Sequence, residues 1–187
     1  MRPLTDDEAI FDATRHWLLQ AVIGLNLCPF AKNVYVKNLI RYVIIRACEE
    51  PVILADIETE IRHLSATDST ELDTTLLILP DGFHDFDDFN GFLPRAERLL
   101  KRTKMTGVLQ IASFHPEYRF ADSRPDDIEN YSNRAPYPIL HLLRESSIAT
   151  GLLAFPDASV IYERNQETLR RLGLEGWNDR MRNQFHP

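Results

Sequence analysis

Between positions 6 and 25, apolar residues return at three- and four-residue steps, as Ile10, Ala13, Trp17, Ala21 and Val22, with Asp7, Glu8, Asp12 and Arg15 between them. That is the period of a helix with one face against a core and the other in water. A first helix is therefore expected over 6–25, loosened at Gly24. Pro29 interrupts the next stretch, NLCPFAKN, because proline lacks an amide proton and clashes with the preceding turn, so a tight connection is expected there. After it the pattern changes. A short extended piece at 34–36 and a stronger strand at 40–47, rich in branched residues, are followed by a second helix over 51–65 with Leu54, Ile57, Ile61 and Leu64 on its inner stripe.

The run TTLLILP at 74–80 is almost continuously apolar, as expected of a strand covered on both faces. A third helix over 85–101 and a third strand over 107–115, ending at His115, complete the repeat. Strand, helix, strand, helix, strand predicts right-handed crossovers. The expected fold class is α/β, with a mainly parallel central sheet of three to five strands flanked by helices. A ferredoxin-like sheet, with antiparallel edge pieces around Val34 and Leu152, is the alternative. In a parallel sheet the ligand crevice lies beyond the carboxyl ends of the strands, where Arg46, Asp81 and His115 fall.

Positions 116–137 carry no helical or strand period over 22 residues, which is long for a connection within a compact domain. Tyr118, Phe120, Ile128, Tyr131 and Tyr137 are anchors that a solvating linker does not need, so a packed and functional loop is expected. A helix is expected from Pro138, and a last one from 157 or 158 to Gly173, with Ile161, Leu169 and Leu172 inward and Asn165 on the same stripe. Residues 175–187 read as a loosely ordered tail anchored by Trp177. The length of 187 residues suits a single α/β domain over 1–187.

Charge narrows the partners. With 28 acidic and 21 basic residues the formal charge is −7, which disfavours nucleic acid and makes any positive site a local one. The basic run at 95–104 alternates with Ala96, Leu99 and Leu100 as a solvated helix face does. No apolar signal core or membrane-length run occurs, so a cytoplasmic protein with no membrane partner is expected. Two cysteines do not make a disulfide scaffold, and the six histidines are scattered without a CxxC or HExxH motif. No metal or cofactor is expected from these signatures, and nothing in the sequence sets the oligomeric state.

The candidate chemistry gathers around the loop. On a helix from Pro138, His141 and Glu145 share one face with Arg144 beside them. His115 closes a strand at the ligand end. Cys28, in the proline-marked connection, is a better nucleophile than Cys48, whose neighbours Glu49 and Glu50 disfavour a thiolate. The expected activity is hydrolysis or group transfer on a small anionic substrate. Cys28 attacks, His115 or His141 exchanges the proton, and Lys32, Tyr118, Asn133, Arg134, Arg144 and Asn165 bind substrate. A non-catalytic binding or protein-interaction module around 116–137 is the first alternative, and a metal-dependent hydrolase using His115, His141 and Glu145 the second. Asp81, Asp85, Asp87 and Asp88 lack the full calcium-loop pattern. Phe83, Phe86, Phe89 and Phe92 recur every three residues there and favour a packing stripe at a helix entry.

Four blocks, GLNLCPFAK at 24–32, ASFHPEYRFA at 112–121, NYSNRAPYPILHLLRE at 130–145 and IYERNQETLRRLG at 161–173, together resemble the bacterial family of unknown function DUF1415. The resemblance extends over nearly the whole chain. It implies a cytoplasmic, single-domain bacterial protein whose blocks include Cys28, Lys32, His115, Tyr118, Asn133, Arg134, His141, Arg144, Glu145, Glu163 and Asn165. It supplies no activity.

Overall fold

The computed structural model describes residues 6–153 and 158–182. Helix α1 spans Asp6–Trp17 and runs directly into a π-helical segment, Leu18–Ile23. Helix α2 is Ala31–Val36, strand β1 Ile40–Ile44, and helix α3 Glu50–Ala66. Strand β2 is Thr74–Ile78, helix α4 Phe86–Arg102 and strand β3 Leu109–Phe114. A 3₁₀ segment, Ile128–Asn133, interrupts the loop before strand β4, Ile139–Arg144, helix α5, Glu145–Leu152, and helix α6, Ala158–Arg182.

The α/β class holds, but the sheet is not mainly parallel. Its order is β1-β2-β4-β3. Only β1 and β2 pair in parallel, whereas β4 is antiparallel to both β2 and β3 and lies between them. The correction has one source. The segment expected to be a helix from Pro138 is the central strand β4, whose Ile139, Leu140 and Leu142 are buried. Burial on both faces gives an apolar run whose Leu140 and Leu143 spacing also suits a helix. Pro138 opens the strand, and its carbonyl accepts the Leu79 amide at 2.9 Å. The edge pieces considered around Val34 and Leu152 are both helical, in α2 and α5.

Two cores flank this sheet. On one face α3 and α4 pack Ile53, Ile57, Ile61, Leu64, Phe86, Phe89 and Phe92 against Leu77, Leu79, Leu140 and Leu142. On the other, α1, the π segment and α6 bring Ile10, Trp17, Ala21, Leu169 and Trp177 onto Leu76, Ile78 and Ile139. Asp85 caps α4 by accepting the amides of Asp87 and Asp88, so these acids serve the helix start.

The first helix changes pitch where a plain helix was expected. The Gly24 amide reaches back five residues to the Leu19 carbonyl at 2.9 Å, and a Cβ on Gly24 would lie 2.5 Å from the Gln20 oxygen. Only glycine tolerates that approach. In α6, Gly173 takes φ 67° and kinks the helix. Residues 175–182, expected within a loose tail, are helical, and Trp177 is buried. Positions 154–157 and 183–187, including His186 and the expected start at Asp157, lie outside the described residues.

Candidate functional site

The loop over 116–137 is held by its own polar side chains. Asn130 is fully buried. Its Oδ1 accepts the Phe120 amide at 3.0 Å and the Ser123 hydroxyl at 2.6 Å, and its Nδ2 donates to the Arg124 carbonyl at 2.6 Å. Asn133 donates through Nδ2 to the Ser113 carbonyl at 3.2 Å, tying the loop to β3. Arg134 crosses the loop, donating to the carbonyls of Tyr118 and Pro125 while its guanidinium lies 4.1 Å from the centre of the Tyr131 ring. Among the described residues Arg134 forms no ion pair and its Nη1 makes no hydrogen bond.

Arg134 borders two depressions. The first is an apolar cavity of about 200 Å³, lined by Trp17, Tyr131, Trp177, Met181 and the segment from Arg134 to Pro136. Tyr131 meets Trp177 edge to face at 5.1 Å. The second is a polar cleft of about 320 Å³ between the start of α4 and the loop, where Asp85, Asp87 and Glu117 face Arg119 and Arg134. Arg119 pairs with Asp87 at 2.5 Å and lies over the Phe86 ring. The sequence singles out Arg134 but not Trp17, which the helical period assigns to a core, nor Met181, which falls in the segment expected to be a loose tail.

The two histidines are not brought together. His115 is fully buried on the α3/α4 side, with the rings of Phe86 and Phe89 about 5.4 and 5.3 Å away. Its Nε2 donates to the Phe83 carbonyl at 2.9 Å and its Nδ1 accepts the Glu117 amide at 3.0 Å, so a single neutral tautomer satisfies both. Burial pushes its pKa down. His141 sits on the opposite face, between Leu76 and Ala112 of the neighbouring strands. Its Nε2 is 2.5 Å from the Thr74 hydroxyl, which donates to the Leu142 carbonyl, and desolvation pushes the imidazole down to about 4. Among the described residues no group of three His, Cys, Asp or Glu side chains is arranged to hold a metal.

Glu145 is not four helical residues from His141, because a strand ends at Arg144 and Glu145 begins α5. Arg144 is committed to structure. Its guanidinium donates to the carbonyls of Leu64, Thr67 and Leu72, closing the end of α3. Asn165 donates to the Leu27 carbonyl at 2.8 Å and so fastens the cysteine-bearing connection to α6. Tyr118 packs between Phe86 and Phe120, with its phenol pKa raised by burial. Lys32 is exposed on α2.

Cys28 is half-buried against the α1/α6 core, the same side of the sheet as His141. Burial pushes its thiol pKa up, while hydrogen bonds from the backbone of Phe30 and Ala31 act in the opposite direction. Cys48 is exposed and bonds the Asp81 carbonyl at 3.3 Å. Arg46 and Asp81, at the strand ends, form an ion pair at 3.0 Å that Asp6 and Asp7 join. No described helix is long and apolar enough to cross a membrane.

The chain belongs to the family described as "Protein of unknown function (DUF1415)", whose model matches residues 9–179. No curated protein and no solved structure matches it.

Proposed function

Because membership of that family supplies no activity, we propose from the geometry that this is a small-molecule binding protein built around the loop over 116–137. Its ligand carries a flat apolar body and an anionic group. One observation carries the reading: both tryptophans of the chain, Trp17 and Trp177, line one apolar cavity with Tyr131, and Arg134 stands at its wall with no ion pair among the described residues. Aromatic walls bury a planar ligand with little loss of side-chain freedom, and a guanidinium held over a ring is preorganised to receive a carboxylate.

The same two tryptophans make the test direct. Titration with a panel of aromatic carboxylates is expected to shift or quench the intrinsic fluorescence saturably, and Arg134→Met to weaken that response about tenfold. Fluorescence unmoved by the whole panel overturns the proposal.

A second reading keeps the thiol. Cys28 as nucleophile and His141 as its proton partner, in hydrolysis or group transfer on an anionic substrate, is favoured by the amide hydrogen bonds at the sulfur and by the shared face of the sheet. It requires that iodoacetamide alkylate Cys28 in the folded protein with a rate falling in His141→Gln. A rate equal in both proteins rejects His141 as the partner.

A further inference from the structure

The apolar cavity and the polar cleft share a wall, Arg134, and consecutive residues, Pro116 and Glu117, line one and the other. In the cleft three carboxylates face two guanidiniums, and Arg119 is already paired with Asp87. Asp85 uses its Oδ1 for the α4 cap, while its second oxygen and the carboxylate of Glu117, which also lines the cleft, make no hydrogen bond or ion pair among the described residues. A ligand with only an anionic head would bring a further negative charge to a wall that already has an excess. A head carrying an ammonium beside its carboxylate resolves this, because each charge then has an opposite partner on either side of the same carbon.

We infer that the ligand is a free α-amino acid with a flat apolar side chain. The side chain occupies the cavity between Trp17, Tyr131 and Trp177, the carboxylate takes Nη1 of Arg134, and the ammonium faces Glu117 and Asp85. This rests on the binding reading above and adds the chemistry of the head group. The cavity of about 200 Å³ admits a one- or two-ring side chain and excludes a bulky conjugate. Arg134 is the specificity-determining residue for the carboxylate, and Glu117 for the amine.

Three probes separate the parts: L-tryptophan, 3-indolepropionate, which lacks the amine, and tryptamine, which lacks the carboxylate. Isothermal titration with the full chain is expected to give L-tryptophan at least about tenfold tighter than either analogue, the worth of one charge-assisted contact. Glu117→Gln is expected to weaken L-tryptophan and tryptamine and to tighten 3-indolepropionate slightly, because one repelling carboxylate is gone. Glu117 is exposed, so the variant is expected to unfold at the wild-type temperature, and that measurement accompanies the titration. If 3-indolepropionate binds as tightly as L-tryptophan, the amino-acid inference falls while the anionic-ligand reading stands. If none of the three binds and the aromatic carboxylates also leave the fluorescence unmoved, both fall.

Discussion

The two faces of the sheet are built from different materials. Against α3 and α4 the fully buried side chains are almost all isoleucine, leucine and phenylalanine, drawn from two long helices and the strands, with His115 as the polar exception. Against α1 and α6 the layer mixes two tryptophans, tyrosines, Cys28 and His141 with a π-helical segment, a kinked helix and a loop. Well-packed interiors leave few voids larger than a water molecule, so a cavity marks the place where packing departs from that density. The apolar cavity lies in the second layer. The molecule thus divides into a regularly packed layer and a layer that keeps a cavity.

The largest test of that division is Phe89→Ala, which removes a fully buried ring from the regular layer. It is expected to cost about 3–5 kcal/mol in urea unfolding, the range for a phenylalanine deleted from a tight core. A loss near 1 kcal/mol would mean that this layer yields as easily as the other.

The next effect is a pH dependence on the irregular side. His141 takes its proton near 6.5 when unfolded and near 4 when folded, so between these values the unfolded chain binds the extra proton. Stability is then complete above about pH 6.5 and drains as the pH falls toward 4, by up to about 3 kcal/mol. His115 adds to the loss with the same sign. In His141→Gln the slope of unfolding free energy against pH is expected to flatten over that window. An unchanged slope would move the proton uptake to other groups.

Met181→Ala gives the smallest effect. This side chain lines the cavity and is only partly buried, so its removal enlarges existing space and is expected to cost about 1 kcal/mol or less. The same variant is expected to alter ligand response more than stability. A loss comparable with that of Phe89→Ala would erase the distinction between the two layers.

Much of the fold was legible because local period reports local structure. The stripe of α3, the continuous run of β2 and the phenylalanine entry of α4 were each written in residues only a few positions apart. The loop's packing anchors were legible for a related reason, since Tyr118, Ile128 and Tyr131 are costly to leave in water. The strand β4 was not, because Pro138 at its start and the three-residue spacing of Leu140 and Leu143 around His141 suit a helix equally well. Misreading it as a helix placed His141 and Glu145 on one face that does not exist, and left the sheet with the wrong sense.

By itself, then, the sequence determined the helices α3 and α4, the strands β1 to β3, where the chain must turn between them, and which acids stand at a helix start. All of these depend on neighbours within a turn or two of the backbone. Tertiary structure decided which side of the sheet each strand residue faces. It set His115 and His141 on opposite layers and committed Arg144 to the carbonyls at the end of α3. It also joined Trp17 to Trp177 across most of the chain's length. Such meetings depend on strand order and direction, which enter only when the segments pair, and no local pattern carries that information.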